Sequence, residues 1–386
     1  MHEPNAAVGT DALALETLAV HAGRDADAVA GSVAPPLVAS TTFVRGPDGG
    51  EPHGFGYARA DNPNRRSLET CLAALEGGEA AVAFASGVAA AQALFQTLRP
   101  GDHVVCDQDA YYGVRKGLDD LLGRWGLAVS FVDTSDFAAT AAAFRPSTRL
   151  LWLETPTNPL LKVADLAALA ALGRARGALV ACDNTFATPV LQRPLELGCD
   201  LVLHSTTKYY GGHSDVMGGA LIAARRDGLI ERLKHQQHLG GAVPSPRDCW
   251  LILRGAATLP LRIRAQSANA LELARWLAGR SQVAAVHYPG LPDHPGHAIA
   301  ARQMRAFGAM LSFRVRGGEA AALGVVARTR LFVHATSLGC VESLIEHRAT
   351  SEGPQSTTPR DLIRVSVGIE SVTDLIADLE RALAAA

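Results

Sequence analysis

Ala178-Leu-Val-Ala-Cys-Asp-Asn-Thr-Phe-Ala187 is an apolar run closed by a carboxylate, and Leu203-His-Ser-Thr-Thr-Lys-Tyr-Tyr-Gly-Gly-His-Ser-Asp-Val-Met-Gly-Gly219 sets Lys208 25 positions beyond Asp183. The first stretch reads as a buried strand running into a loop. Its neighbours repeat the pattern, with short apolar runs near Ala80–Phe84, His103–Cys106, Ala128–Val132, Leu150–Glu154, Asp200–Leu203 and Gly219–Ala223. Helical patterns separate most of them. Apolar strands alternating with amphipathic helices imply an α/β fold, a mostly parallel sheet covered on both faces. Ligands of such sheets gather at the carboxyl ends of the strands, where Asp183 and Lys208 fall.

A lysine and a strand-ending aspartate in this relation suit pyridoxal 5'-phosphate. The lysine can hold the cofactor's aldehyde as an imine, and the carboxylate can keep the pyridine nitrogen protonated, so that the ring accepts electrons from the substrate. Taken singly, the lysine also reads as part of a solvated turn and the aspartate as a helix cap. Ser86-Gly87-Val88 follows the Ala80–Phe84 run and opens a helical stretch, so the Gly87 and Val88 amides can face an anion, although an ordinary serine cap has the same sequence. Ser205 and Thr207 alternate along an extended segment and share a face, which suits two hydroxyls donating to one phosphate. Tyr57 and Arg59 alternate likewise and form phosphate-binding equipment.

The chain has 386 residues, 19% of them charged, with a formal net charge of -2. That length predicts two domains and a terminal extension: an arm over 1–48, a cofactor-binding domain over 49–245, and a smaller α+β domain over 246–386. In the last, strands are expected near Val283–His287, Ala309–Val315 and Leu362–Val367, with a closing helix over Ser371–Leu383. Residues 1–12 are small and polar and are expected to lack order. The weak charge favours neither nucleic acid nor a membrane surface as partner, and points to a small-molecule substrate. Cys71, Cys106, Cys182, Cys199, Cys249 and Cys340 contain no CxxC pair, and no run approaches the roughly 18 apolar residues of a membrane span. A cytoplasmic protein is the expectation. No metal is expected, because His294-Pro-Gly-His297 reads as a solvated turn.

Taken in order, Thr17-Leu-Ala-Val-His-Ala-Gly23, Tyr57-Ala-Arg-Ala-Asp-Asn-Pro63, Glu154-Thr-Pro-Thr-Asn-Pro159, Asp183-Asn-Thr-Phe-Ala-Thr-Pro189, the Lys208 segment, Ser337-Leu-Gly339 with Val341-Glu-Ser-Leu344, and Arg364-Val-Ser-Val-Gly368 resemble the pyridoxal phosphate enzymes of cysteine and methionine metabolism. These are the cystathionine γ-synthase, γ-lyase and β-lyase group. The resemblance runs from about Thr17 to Leu383 and implies PLP fold type I, the aspartate aminotransferase-like architecture. It assigns Lys208 the imine and proton transfers, Asp183 the pyridinium, Asn158 the cofactor's ring oxygen, and Tyr111 stacking and proton exchange. Arg364 takes the substrate carboxylate with Ser337. Tyr57 and Arg59 reach the phosphate of a neighbouring subunit, within a homotetramer built from dimers with shared active sites.

Three departures bear on the substrate. Thr336 stands where synthases and γ-lyases commonly carry a glutamate able to receive the distal amino group of cystathionine, and Tyr112 replaces a glycine, so it either narrows the pocket or turns outward. Cys340 also replaces a glycine and reads as packing, with no base beside it. Arg348-Ala-Thr-Ser-Glu-Gly-Pro354 occupies the region of the familiar Met-Thr-His. The expected reaction is γ-elimination on cystathionine or a related γ-substituted amino acid, giving a 2-oxo acid and ammonia. γ-Replacement by a thiol and β-elimination are the alternatives. A cofactor-binding paralogue without catalysis would be expected to lack the lysine, the aspartate or the arginine clamp, and all three are present.

Overall fold

A computed structural model describes residues 13–24, 27, 29–354 and 356–384; residues 1–12, with the expectation attached to them, lie outside these. Seven strands form the first sheet: β1 (Ala80–Phe84), β2 (His103–Asp107), β3 (Ala128–Val132), β4 (Thr148–Glu154), β5 (Leu179–Asp183), β6 (Leu201–His204) and β7 (Gly219–Ala223). Their order is β1-β7-β6-β5-β4-β2-β3. Every pairing from β6 to β3 is parallel, and β7 alone is reversed, running antiparallel to both β1 and β6. β1, β2, β6 and β7 are buried along their whole length, as strands covered by helices on both faces must be.

The helix Pro63–Glu76 illustrates how local sequence fixes an element. Asn62 Oδ1 accepts from the Asn64 amide at 2.9 Å, Pro63 occupies the first position, and Gly77 ends the helix at φ 71°. Its buried face, Leu68, Cys71, Leu72 and Leu75, packs into the same core as the helix Pro246–Ala256 through Cys249, Ile252 and Leu253. The expected start of the smaller domain at residue 246 is the start of this helix, which packs in the first sheet's core.

The second sheet contains β8 (Val283–His287), β9 (Met310–Val315), β10 (Val333–His334), β11 (Leu344–His347) and β12 (Leu362–Ser366), ordered β10-β11-β12-β9-β8. β10 and β11 have no counterpart among the expected strands. The helix Leu259–Ala278 ties the two cores together. Leu259 and Ile263 enter the first, whereas Ala270, Leu273, Ala274 and Leu277 enter the second beside Phe313 and Val365. The closing helix spans Val372–Ala384.

Candidate active site

The parallel strands deliver their loaded residues to one end of the first sheet. Asp183 ends β5, Glu154 ends β4 directly opposite it in the register, and Lys208 lies in the turn after β6. A cavity of about 290 Å³ opens there, lined by Gly87, Val88, Tyr111, Glu154, Asn158, Asp183, Ser205, Thr207, Lys208, Thr336, Ser337, Arg348 and Arg364, among others. The second sheet supplies the far wall, since Arg364 lies on β12 and Ser337 in the loop between β10 and β11.

The Lys208 Nζ donates to Ser337 Oγ at 2.7 Å. Burial, with the Arg364 cation assisting, lowers the lysine's pKa to about 8, which makes a neutral amine accessible near neutrality. Ser337 is held at φ 90°, a left-handed conformation that costs energy for a residue with a Cβ and that turns its carbonyl to Arg364 Nη2 at 3.0 Å. Arg364 Nη1 donates to Asn158 Oδ1 at 3.1 Å.

Asp183 accepts from the Thr185 amide at 3.0 Å, and Glu154 accepts from the Tyr111 amide at 2.6 Å. Burial raises both carboxyls above the ordinary carboxylate range, Glu154 well above it, with Asp183 as the next contributor. Among the described residues no side-chain cation is bonded to either. A carboxyl pair without a cation suits a ligand that brings a positive charge to Asp183. Behind Asp183, His204 Nε2 and Asn184 Nδ2 both reach Glu76 Oε1, the latter at 3.0 Å, in a fully buried network.

At the other end, Ser86 caps the helix Gly87–Phe95 through the Ala89 amide, leaving the Gly87 and Val88 amides without acceptors among the described residues. A Cβ on Gly87 would stand 2.9 Å from Ser205 Cβ, so only glycine allows the Ser205 turn so close. Two amides at a helix N-terminus and the Ser205 hydroxyl suit an anion such as a phosphate, whereas the Thr207 hydroxyl donates to the Gly218 carbonyl at 3.1 Å and accepts from the Gly218 amide at 3.0 Å. With Lys208 and Asp183 lining the same cavity, this donor set suits pyridoxal phosphate.

Tyr57 and Arg59 are not part of the lining. Both are exposed; the Arg59 guanidinium carbon lies 5.6 Å from the Tyr57 ring centre, and its Nη1 donates to the His238 carbonyl at 2.8 Å. Tyr112 faces away from the site into an outer cavity of about 880 Å³, so it is turned outward. Cys340 is buried, its carbonyl accepting from Gln266 at 2.8 Å. His297 bonds the Pro289 carbonyl at 2.8 Å, and His294 accepts from the Gly296 amide at 3.1 Å. Sequence reading missed Glu154, Glu346 and Arg348. The first carried a visible signal, a carboxylate closing an apolar strand one strand away from Asp183.

A mostly parallel sheet that brings a buried lysine, a strand-ending aspartate and a helix N-terminus to one cavity, with an arginine from a second sheet in its far wall, is the architecture of the fold type I pyridoxal phosphate enzymes. The model of the Cys/Met metabolism PLP-dependent enzyme family matches residues 16–384, and the chain belongs to that family. It is 52% identical over 373 residues to a cystathionine gamma-synthase of Mycobacterium tuberculosis, covering 95% of this chain and 96% of that one. It is 43% identical over 378 residues to a cystathionine beta-lyase of Coxiella burnetii, covering 96% and 97%. The structure of cystathionine gamma-lyase from Lactobacillus plantarum complexed with L-serine superposes with a TM-score of 0.92 at 40% identity, over 97% of this chain and 99% of that one.

Proposed function

We propose that the enzyme removes the γ-substituent of cystathionine or a related γ-substituted amino acid, giving a 2-oxo acid and ammonia. The observation that carries this reading is the single hydrogen-bonded line from Lys208 Nζ through Ser337 to Arg364. A substrate whose α-carboxylate is gripped by Arg364, with Ser337 and the Asn158 side chain beside it, presents its α- and β-carbons to the lysine amine. When bound, the cofactor's ring supplies an electron sink for the carbon that loses its proton. Lys208, with its pKa near 8, takes the α-proton and moves protons between the carbons. Asp183 would hold the ring nitrogen's proton, and the Gly87 and Val88 amides with the Ser205 hydroxyl would hold the phosphate, with Thr207, bonded to Gly218, bracing that turn. Tyr111, which lines the same cavity, would lie against the ring and exchange protons with the departing group.

The 52% identity to a named γ-synthase favours a second reading, γ-replacement, in which a thiol takes the place left by the γ-group. Cofactor-loaded protein incubated with L-cystathionine separates the possibilities. 2-Oxobutyrate is the expected product; pyruvate would mean β-elimination. Turnover only of an O-acyl-homoserine with a thiol would establish replacement.

Exposure of Tyr57 and Arg59 outside the cavity supports a site completed by a neighbouring subunit, in a homotetramer made of dimers. Hybrids of Arg59→Ala and Lys208→Ala subunits should regain activity, and verified hybrid dimers that stay inactive would count against sharing. All six cysteines are free and buried, which supports a reducing, cytoplasmic setting. Among the described residues no helix is long and apolar enough to cross a membrane.

A further inference from the structure

Arg348 and Glu352 belong to the segment that replaces the familiar Met-Thr-His, and the structure places them behind the carboxylate clamp. β11 and β12 pair antiparallel with Glu346 directly opposite Arg364, and the two side chains form an ion pair, 3% and 4% exposed. The same Glu346 Oε1 accepts from Arg348 Nη1 at 3.2 Å, while Ser351 Oγ donates to Oε2 at 2.9 Å. Arg348 Nε reaches Glu352 Oε1 at 3.1 Å, and Glu352 Oε2 accepts from Ser356 Oγ at 2.6 Å and Thr358 Oγ1 at 2.8 Å. Charges therefore alternate along one buried line: Glu352, Arg348, Glu346, Arg364.

We propose that Arg348, anchored by Glu352, is a positioning residue for Arg364 and sets how strongly the clamp grips an α-carboxylate. A buried arginine paired with one carboxylate alone has little attraction left for a second, because its partner competes with the ligand. Arg348 draws on the oxygen that holds Arg364, offsets the Glu346 charge, and leaves Arg364 able to take a carboxylate in the cavity. Its own charge is balanced by Glu352, whose two hydroxyl partners fix the loop. The inference rests on the proposed function only in that Arg364 receives the α-carboxylate.

The test uses cofactor-loaded enzyme and two ligands without a γ-leaving group, L-norvaline and n-butylamine, which is norvaline without its carboxylate. Binding is read from the cofactor's visible absorbance. Arg348→Ala should weaken norvaline about tenfold, the size of coupling between contacting charged side chains, and leave butylamine unchanged. Arg348→Lys should restore most of the loss. In an Arg364→Ala background, Arg348→Ala should cost norvaline nothing further. Glu352→Gln, which keeps its shape and hydroxyl bonds, should show the same split at about threefold, within the range of such couplings. Equal weakening of both ligands, no weakening of norvaline, or a loss that persists without Arg364 would each overturn the proposal. A wild-type enzyme that never forms the lysine imine band would instead defeat the functional reading.

Discussion

Burial of Lys208 is a cost to the fold, and replacing it with methionine measures that cost. Burial and the Arg364 cation bring the lysine from its ordinary 10.5 to about 8. At about 1.4 kcal/mol per pH unit, protonating it in the native protein costs about 3 kcal/mol more than in the unfolded chain. The pKa is lowered on folding, so this penalty is complete below pH 8, shrinks as pH rises, and vanishes above 10.5. Methionine keeps the length and removes the charge. It also breaks the 2.7 Å bond to Ser337 Oγ, worth about 1 kcal/mol. The net gain at pH 7 is therefore about 2 kcal/mol, which with an unfolding entropy of about 2 cal/mol/K per residue raises Tm by about 2 to 3 °C. At pH 9.5 the remaining electrostatic penalty is about 1.4 kcal/mol, and the two effects nearly cancel. Thermal unfolding of protein stripped of cofactor, followed at both pH values, reads the difference directly. A Lys208→Met protein that melts below wild type at pH 7, or whose advantage is the same at pH 9.5, would refute this account of the lysine's environment.

Gly87→Ala forces the phosphate turn away from Ser205 and should weaken cofactor binding at least about tenfold, the equivalent of about 1.4 kcal/mol, as measured by equilibrium dialysis. Asp183→Asn should lower kcat about 100-fold or more, the scale of losing one preorganised electrostatic partner. Glu154→Gln should cost far less near neutrality, because burial already favours the protonated form of that side chain; comparable losses for the two variants would invert their assigned roles. Arg364→Ala should raise KM for the amino acid about 100-fold, since hydrogen bonds to charged groups contribute about 1.5 to 3 kcal/mol each.

The sheet, its buried parallel strands and the positions of Lys208, Asp183, Ser205 and Thr207 were legible because each depends on local pattern. An apolar run ends, a charged residue follows, and alternate side chains of an extended segment share a face. What escaped were partners set by strand register. Glu346 meets Arg364 only because β11 pairs with β12 at that offset, and β11 is four residues long, running straight into the short helix Arg348–Glu352. The two-residue β10 is too short to carry any periodicity. Arg348 and Glu352 did carry a signal, an Arg–Glu pair four apart, but such pairs usually lie on solvated helix faces. The outward direction of Tyr112 follows from the short helix Tyr112–Lys116, which composition does not define.

Lys208, Asp183 and the phosphate cradle are built on the first sheet, whereas Arg364, Ser337, Thr336 and Arg348 come from the second. Heritable variation can therefore act on the two halves separately. Substitutions in the second sheet bear on which amino acid is gripped and lie apart from the glycine turn and the aspartate, with the Lys208–Ser337 bond as a seam between the halves. A lineage with this layout can exchange substrates while keeping its coenzyme.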